Sequence, residues 1–111
     1  MPAPKKKISN ARLEELIDEA TVDCYGDDEQ HTALLTMIED HVRCPFRAKV
    51  IGETVEVTSF AWPKSGAGLL AVCRHKGATH RVNLNALEWI EPLPVGFEWI
   101  AAYQLWRKHN L

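Results

Sequence analysis

The chain has 111 residues, of which 46% are hydrophobic and 25% are charged. These values are typical of a folded globular protein and exclude a wholly disordered chain. The net charge of −2 hides an asymmetry: residues 8–42 contain ten acidic residues and one basic residue, whereas residues 43–111 contain nine basic and five acidic residues. A basic excess this small, confined to the second part, argues against a protein whose whole surface binds nucleic acid.

Three cysteines without a CxxC pair predict a reducing, cytoplasmic location. The sequence contains no apolar run long enough for a signal peptide or a membrane span, so no membrane association is expected. Length predicts one domain over residues 9–111, preceded by a disordered tail at residues 1–8. We expect a monomer.

Residues 9–43 have the pattern of a helical hairpin. The first helix is predicted from an apolar stripe and has Ser9 or Asn10 as its cap; the stripe consists of Leu13, Leu16, Ile17 and Ala20. Tyr25-Gly26 interrupts the helical pattern. The second helix is expected to begin with Asp27 as its cap, paired with Gln30, and to end near Arg43 before Pro45.

From residue 46 to residue 91 the hydrophobic period changes from 3.6 to 2, which predicts strands. Turns are expected at Gly52-Glu53 and Lys76-Gly77, and Pro63 to Gly68 has the composition of a loop. Four or five short strands indicate a small SH3-like β-barrel or a twisted antiparallel sheet. A last helix over residues 96–109 carries Trp99, Tyr103 and Trp106 at core spacing. The predicted fold class is therefore α+β.

Acidic residues gather around the second helix. Six of them form the candidate metal ligands: Asp23, Asp27, Asp28, Glu29, Glu39 and Asp40. Carboxylates with threonine hydroxyls and backbone carbonyls suit a hard cation, and a loose oxygen shell suits Ca²⁺ better than Mg²⁺. The alternative is a solvated helix face without a ligand.

The spacing of these acids limits how they can bind. An EF-hand is absent, because a loop beginning at Asp23 places Leu34 where the bidentate glutamate belongs. Glu29 and Asp40 are eleven residues apart, or about 16 Å along a helix, so they cannot share an ion. Two open part-sites of weak affinity follow, one at residues 23–29 and one at Glu39-Asp40.

The segment VDCYGDDEQHTALLTMIEDHVRCPFRAKVIGETVEV resembles the CcbP-type family of small calcium-binding proteins. That family has an acidic turn after Tyr-Gly, a helix with an acidic pair near its end, and then Pro-Phe and a strand. The similarity spans roughly residues 12–57, with an echo in the closing WIAAYQLW. It implies an intracellular calcium buffer or sensor without catalytic activity. It supports Asp28, Glu29, Glu39 and Asp40 as ligands, and Asp23 and Asp27 belong to the acidic turn.

The residues are also compatible with two other functions. Cys73, His75 and His80 flank one predicted hairpin and are candidates for zinc, although they lack a second ligand pair. Alternatively, the protein is a non-enzymatic binding module whose basic patch meets an acidic protein or, less expected, RNA; the patch comprises Lys49, Arg74, Lys76, His80 and Arg81. No Ser, Cys or His lies in a recognisable catalytic motif.

Overall fold

A computed structural model describes residues 8–64 and 68–110 of the chain. The predicted tail, apart from Ile8, and residues 65–67 of the predicted loop lie outside these residues. The described residues divide into two compact units, one formed by residues 8–42 and 96–110 and the other by residues 43–95. The first unit is helical and the second contains the sheet. No described helix is long and apolar enough to cross a membrane.

Helix α1 spans Asn10–Thr21 and begins as the sequence predicts. The hydroxyl of Ser9 accepts from the backbone N–H of Arg12 at 3.2 Å, which satisfies one of the donors left free at a helix start. Leu13 and Leu16 are buried, while the acidic face of the helix is exposed. The amphipathic pattern therefore places the apolar stripe in the core.

Helix α2 spans Asp27–His41, and its predicted cap is wrong. Gly26 is the N-cap residue and makes no side-chain capping bond. The sequence predicts a capping box between Asp27 and Gln30, but it is Glu29 whose Oε1 accepts from the backbone N–H of Tyr25, at 2.8 Å. The helix ends at His41, two residues earlier than expected, because Val42 already has an extended backbone.

Helix α3 spans Phe97–Asn110 and packs against α1 and α2 within the first unit. Trp99, Tyr103 and Trp106 are buried, so the aromatic stripe is core packing as predicted. The indole N–H of Trp106 donates to Gln30 Oε1 at 2.9 Å. This bond satisfies the only polar atom of a buried indole side chain.

The second unit is a five-stranded antiparallel sheet with the strand order β4-β3-β2-β1-β5. Its strands are β1 (Phe46–Val50), β2 (Glu53–Ala61), β3 (Leu70–His75), β4 (Ala78–Asn83) and β5 (Glu88–Trp89). Among the described residues β4 and β5 do not pair, so the sheet is open. Of the two predicted architectures, the antiparallel sheet is confirmed.

The sheet has one apolar and one polar face because side chains alternate along each strand. Val57 and Cys73 oppose each other on the apolar face and are almost completely buried. Arg74 lies on the polar face, opposite Glu56 on β2 and Thr79 on β4. The predicted turn at Lys76-Gly77 is confirmed, whereas the first hairpin turns at Ile51-Gly52, one residue earlier than predicted.

Ile51 occupies an unfavourable backbone conformation at this first turn. Its φ is +49° and that of Gly52 is +76°. Positive φ at both central residues is the type I′ requirement, for which Asn-Gly is preferred, and a β-branched residue is strained there. The side chain is also 89% exposed, so little packing offsets the strain.

We therefore expect Ile51→Asn to stabilise the protein by about 1 kcal/mol, measured by urea unfolding. Lys76→Asn is the matched control, since Lys76 has φ +52° in the second hairpin but is not β-branched. Its gain should be smaller. A loss of stability in Ile51→Asn would show that the isoleucine makes a compensating contact.

Candidate metal centre

The acidic turn connects α1 to α2, and the structure leaves its carboxylates in water. Asp23 lies in the connection, and Asp27, Asp28 and Glu29 form the first turn of α2. All four side chains are exposed. Negative charge in a first helical turn interacts favourably with the positive end of the helix dipole. Asp27, Asp28 and Glu29 therefore stabilise the start of α2 even without a bound ion.

A shallow depression brings part of this turn together. It is lined by Cys24, Asp28, Glu29, Thr32 and Ala33. Of the candidate ligands, Asp28 and Glu29 line it together with Thr32, whereas Asp23 and Asp27 do not. Sequence reasoning assigned no part in the depression to Cys24, which is half-buried there.

The second predicted part-site is at the other end of the same helix. Glu39 and Asp40 lie in the last turn of α2 and are exposed. Because α2 is continuous from Asp27 to His41, the predicted separation of about 16 Å between Glu29 and Asp40 holds. The two part-sites are thus separate.

Among residues 8–64 and 68–110, no group of three or more His, Cys, Asp or Glu side chains is arranged to hold a metal ion. The depression at the start of α2 offers only two carboxylates. Its donors have the chemistry that calcium prefers, but protein oxygens fill only a small part of a shell of six to eight ligands.

The zinc alternative is not supported by the sheet. Cys73 and His80 are direct cross-strand partners, and His75 lies on the same face. However, His75 Nε2 contacts Glu53 Oε1 at 3.1 Å. Burial raises the pKa of the Cys73 thiol, which disfavours the thiolate that a metal requires.

The predicted basic patch is divided by the strand register. Arg74 lies on the polar face, opposite Thr79. Arg81 lies on the same face, because it opposes Val72, which is two residues before Arg74 on β3. His80 points to the apolar face with Cys73. Lys49 lies on the polar face, opposite Thr54, so His80 is the strand residue that the register separates from the rest of the patch.

His31 connects the acidic start of α2 to the aromatic core. Its ring is stacked against those of both Tyr103 and Trp106, with centroids 5.5 Å away in each case, and Nε2 lies 2.9 Å from Tyr103 Oη. Burial lowers the pKa of His31, and the positive charge of Arg107 lowers it further, while Asp28 opposes both effects. The folded protein therefore favours the neutral imidazole more than the unfolded chain does.

This pKa shift predicts how stability depends on pH in calcium-free buffer. Above the ordinary histidine pKa of about 6.5, His31 is neutral in both states and contributes no pH dependence. Below it the unfolded chain gains a proton that the folded protein resists, so the free energy of unfolding falls as the pH decreases. Urea unfolding at about pH 7.5 and pH 5.5 should show a smaller decrease in His31→Gln than in the parent.

The exposed His109 provides the control for that measurement. His109→Gln should retain the pH dependence of the parent protein. Equal slopes for all three proteins would contradict the assignment to His31.

Comparison with known proteins places the fold but not the site. No family model matches the chain, and no curated protein matches it either. The crystal structure of CcbP from Anabaena matches with a TM-score of 0.71, covers 95% of both chains and has 19% sequence identity. The chain is therefore similar in fold to CcbP from Anabaena, which confirms the resemblance predicted from the sequence.

Proposed function

We propose that the protein is a calcium-binding protein of the cytoplasm, without catalytic activity, that buffers or senses calcium. The observation that carries this proposal is that three oxygen-bearing side chains, those of Asp28, Glu29 and Thr32, line one depression at the start of α2. The similarity of the fold to CcbP from Anabaena adds support, because calcium binding is what the resemblance of the sequence to the CcbP-type family implies.

The proposed ligands differ in how directly the structure supports them. Asp28 and Glu29 would bind the ion, and Thr32 can contribute its hydroxyl. Asp23 and Asp27 add negative charge near the site and remain predicted ligands. Glu39-Asp40 remains the predicted second part-site.

Few protein ligands imply weak binding. Water would fill most of the coordination shell, and the helix dipole disfavours a cation at this end of α2. Glu29 must also accept from the Tyr25 N–H while it binds the ion, or give up that bond. We therefore expect an affinity in the micromolar range or weaker, with selectivity for Ca²⁺ over Mg²⁺.

Terbium provides a direct test, because Tb³⁺ replaces Ca²⁺ and emits when a nearby aromatic ring absorbs light. Tyr25 is 95% exposed and lies within the acidic turn, so it is the expected antenna. Bound Tb³⁺ should emit on excitation of tyrosine, and added Ca²⁺ should quench the emission at lower concentration than Mg²⁺.

Tyr25→Phe separates the antenna from the ligands. This variant should lose most of the sensitised emission but retain the calcium affinity of the parent, measured by calorimetry. Emission that calcium does not displace would contradict the proposed site.

A further inference from the structure

The edge strand β4 is an unused pairing surface of the sheet. It lies at the end of the strand order and pairs with β3 alone among the described residues. Five of its six residues are exposed, and Val82 is half-buried. Its outer backbone N–H and C=O groups can therefore accept a further strand.

The two faces beside this edge differ in chemistry. On the polar face, Arg74 and Arg81 are exposed, and neither forms an ion pair with a described residue. On the apolar face, a depression reaches β4; it is lined by Val50, Val55, Cys73, His75, His80 and Val82. An added strand would meet positive charge on one side and an apolar surface on the other.

We propose that β4 binds an extended peptide segment of a partner protein in which acidic and apolar residues alternate. Side chains of an added strand alternate between the two faces of the sheet. The acidic set would lie beside Arg81 on β4, with Arg74 one strand further away on β3, and the apolar set would cover the part of the depression next to Val82. Charge complementarity on the polar face and the apolar surface on the other face thus both favour a peptide in which acidic and apolar residues alternate. This inference is independent of the proposed calcium site.

Other occupants fit the same edge less well. Pairing of β4 with a second β4 would bring Arg81 of two copies to neighbouring positions, where like charges repel. The chain's own MPAPKKK segment is basic and contains two prolines, so it lacks the required pattern. Nucleic acid is disfavoured because the face of Arg74 and Arg81 carries no aromatic residue among the described strand residues and residues 8–42 repel a long polyanion.

The test is an NMR titration of the protein with a capped peptide of six residues, the length of β4, in which glutamate alternates with valine. Amide signals of residues 78–83 should shift and saturate. Arg81→Glu should weaken binding about fivefold or more, and Arg81→Lys should retain most of it. Lys64→Glu is the matched control, because Lys64 is an exposed base outside the strands, and it should bind as the parent does.

Peptide chemistry tests the mode of binding. N-methylation of the odd-numbered or of the even-numbered amides should abolish binding in one series only, since one edge of the peptide pairs with β4. The proposal is overturned if both series bind equally, if a lysine–valine peptide binds as well, or if the acidic peptide causes no shift. It is also overturned if the β4 signals shift with protein concentration alone, which would identify a second copy, or if a single-stranded oligonucleotide binds more tightly.

Discussion

Gly96→Ala should destabilise the protein by about 3 kcal/mol or more, measured by urea unfolding. Gly96 precedes α3 and has φ +90°, a backbone region that L side chains rarely adopt. A methyl group here would also overlap the backbone of α2, coming within 2.7 Å of the His41 carbonyl carbon and 2.9 Å of Val42 Cα. The helix end cannot move away easily, because Val42 is buried and its N–H donates to the carbonyl of Ile38.

Gly26→Ala is the control for this substitution. Gly26 has φ −151°, and a Cβ there would meet nothing within 4 Å. Glycine is preferred over alanine as an N-cap, so the change should cost about 1 kcal/mol, well below the cost of Gly96→Ala. If both alanine variants lose the same stability, the close approach between Gly96 and the end of α2 does not limit the fold.

Asp28→Asn combined with Glu29→Gln should abolish most of the increase in thermal stability that calcium produces. The double variant removes both carboxylates of the depression but keeps an oxygen atom on each side chain, so the new amide at position 29 can still accept from the Tyr25 N–H. Stability without calcium should fall by about 1 kcal/mol, because two charges that favour the helix dipole are lost. Calcium should then raise the melting temperature little more than magnesium does.

The matched control is Glu39→Gln combined with Asp40→Asn at the other end of α2. It removes the same number of charges from the same helix, about 16 Å away. This variant should retain most of the calcium response if the depression is the stronger part-site. A response that is lost here and retained in Asp28→Asn/Glu29→Gln would assign the ion to the end of the helix instead.

Much of the fold could be predicted because burial imposes a period on the sequence. The stripe of Leu13 and Leu16 and the aromatic spacing of Trp99, Tyr103 and Trp106 all correspond to buried faces. The change to a period of two identified residues 46–91 as the strand region, and all five strands lie within it. The sequence could not distinguish a closed barrel from an open sheet. The two differ in whether the edge strands pair, and the alternation of side chains is the same in both.

Local capping was harder to predict because several side chains compete for the same backbone donors. Asp27 and Gln30 have the spacing of a capping box, but Glu29 makes the bond, to the Tyr25 N–H. Gln30 is directed to Trp106, a partner 76 residues away that no local pattern indicates. The strain at Ile51 could not be predicted either. The alternation of apolar and polar residues continues through Val50 and does not indicate that the turn begins at Ile51.

The sequence predicts the candidate ligands, and the structure shows how they are distributed along α2 and the connection before it. The sequence separated the two acidic groups correctly, because helix length fixes their distance. It could not show that Asp28, Glu29 and Thr32 share a depression while Asp23 and Asp27 lie outside it. The direction of an exposed side chain depends on its local contacts, which the periodicity of the sequence does not predict.

Isothermal titration of chelator-treated protein with calcium, with magnesium as the control, tests the central claim most directly. We expect saturable heat with a dissociation constant in the micromolar range or weaker, and a much smaller response to magnesium. The absence of heat and saturation at millimolar calcium would contradict calcium binding and leave the acidic turn as a solvated helix start.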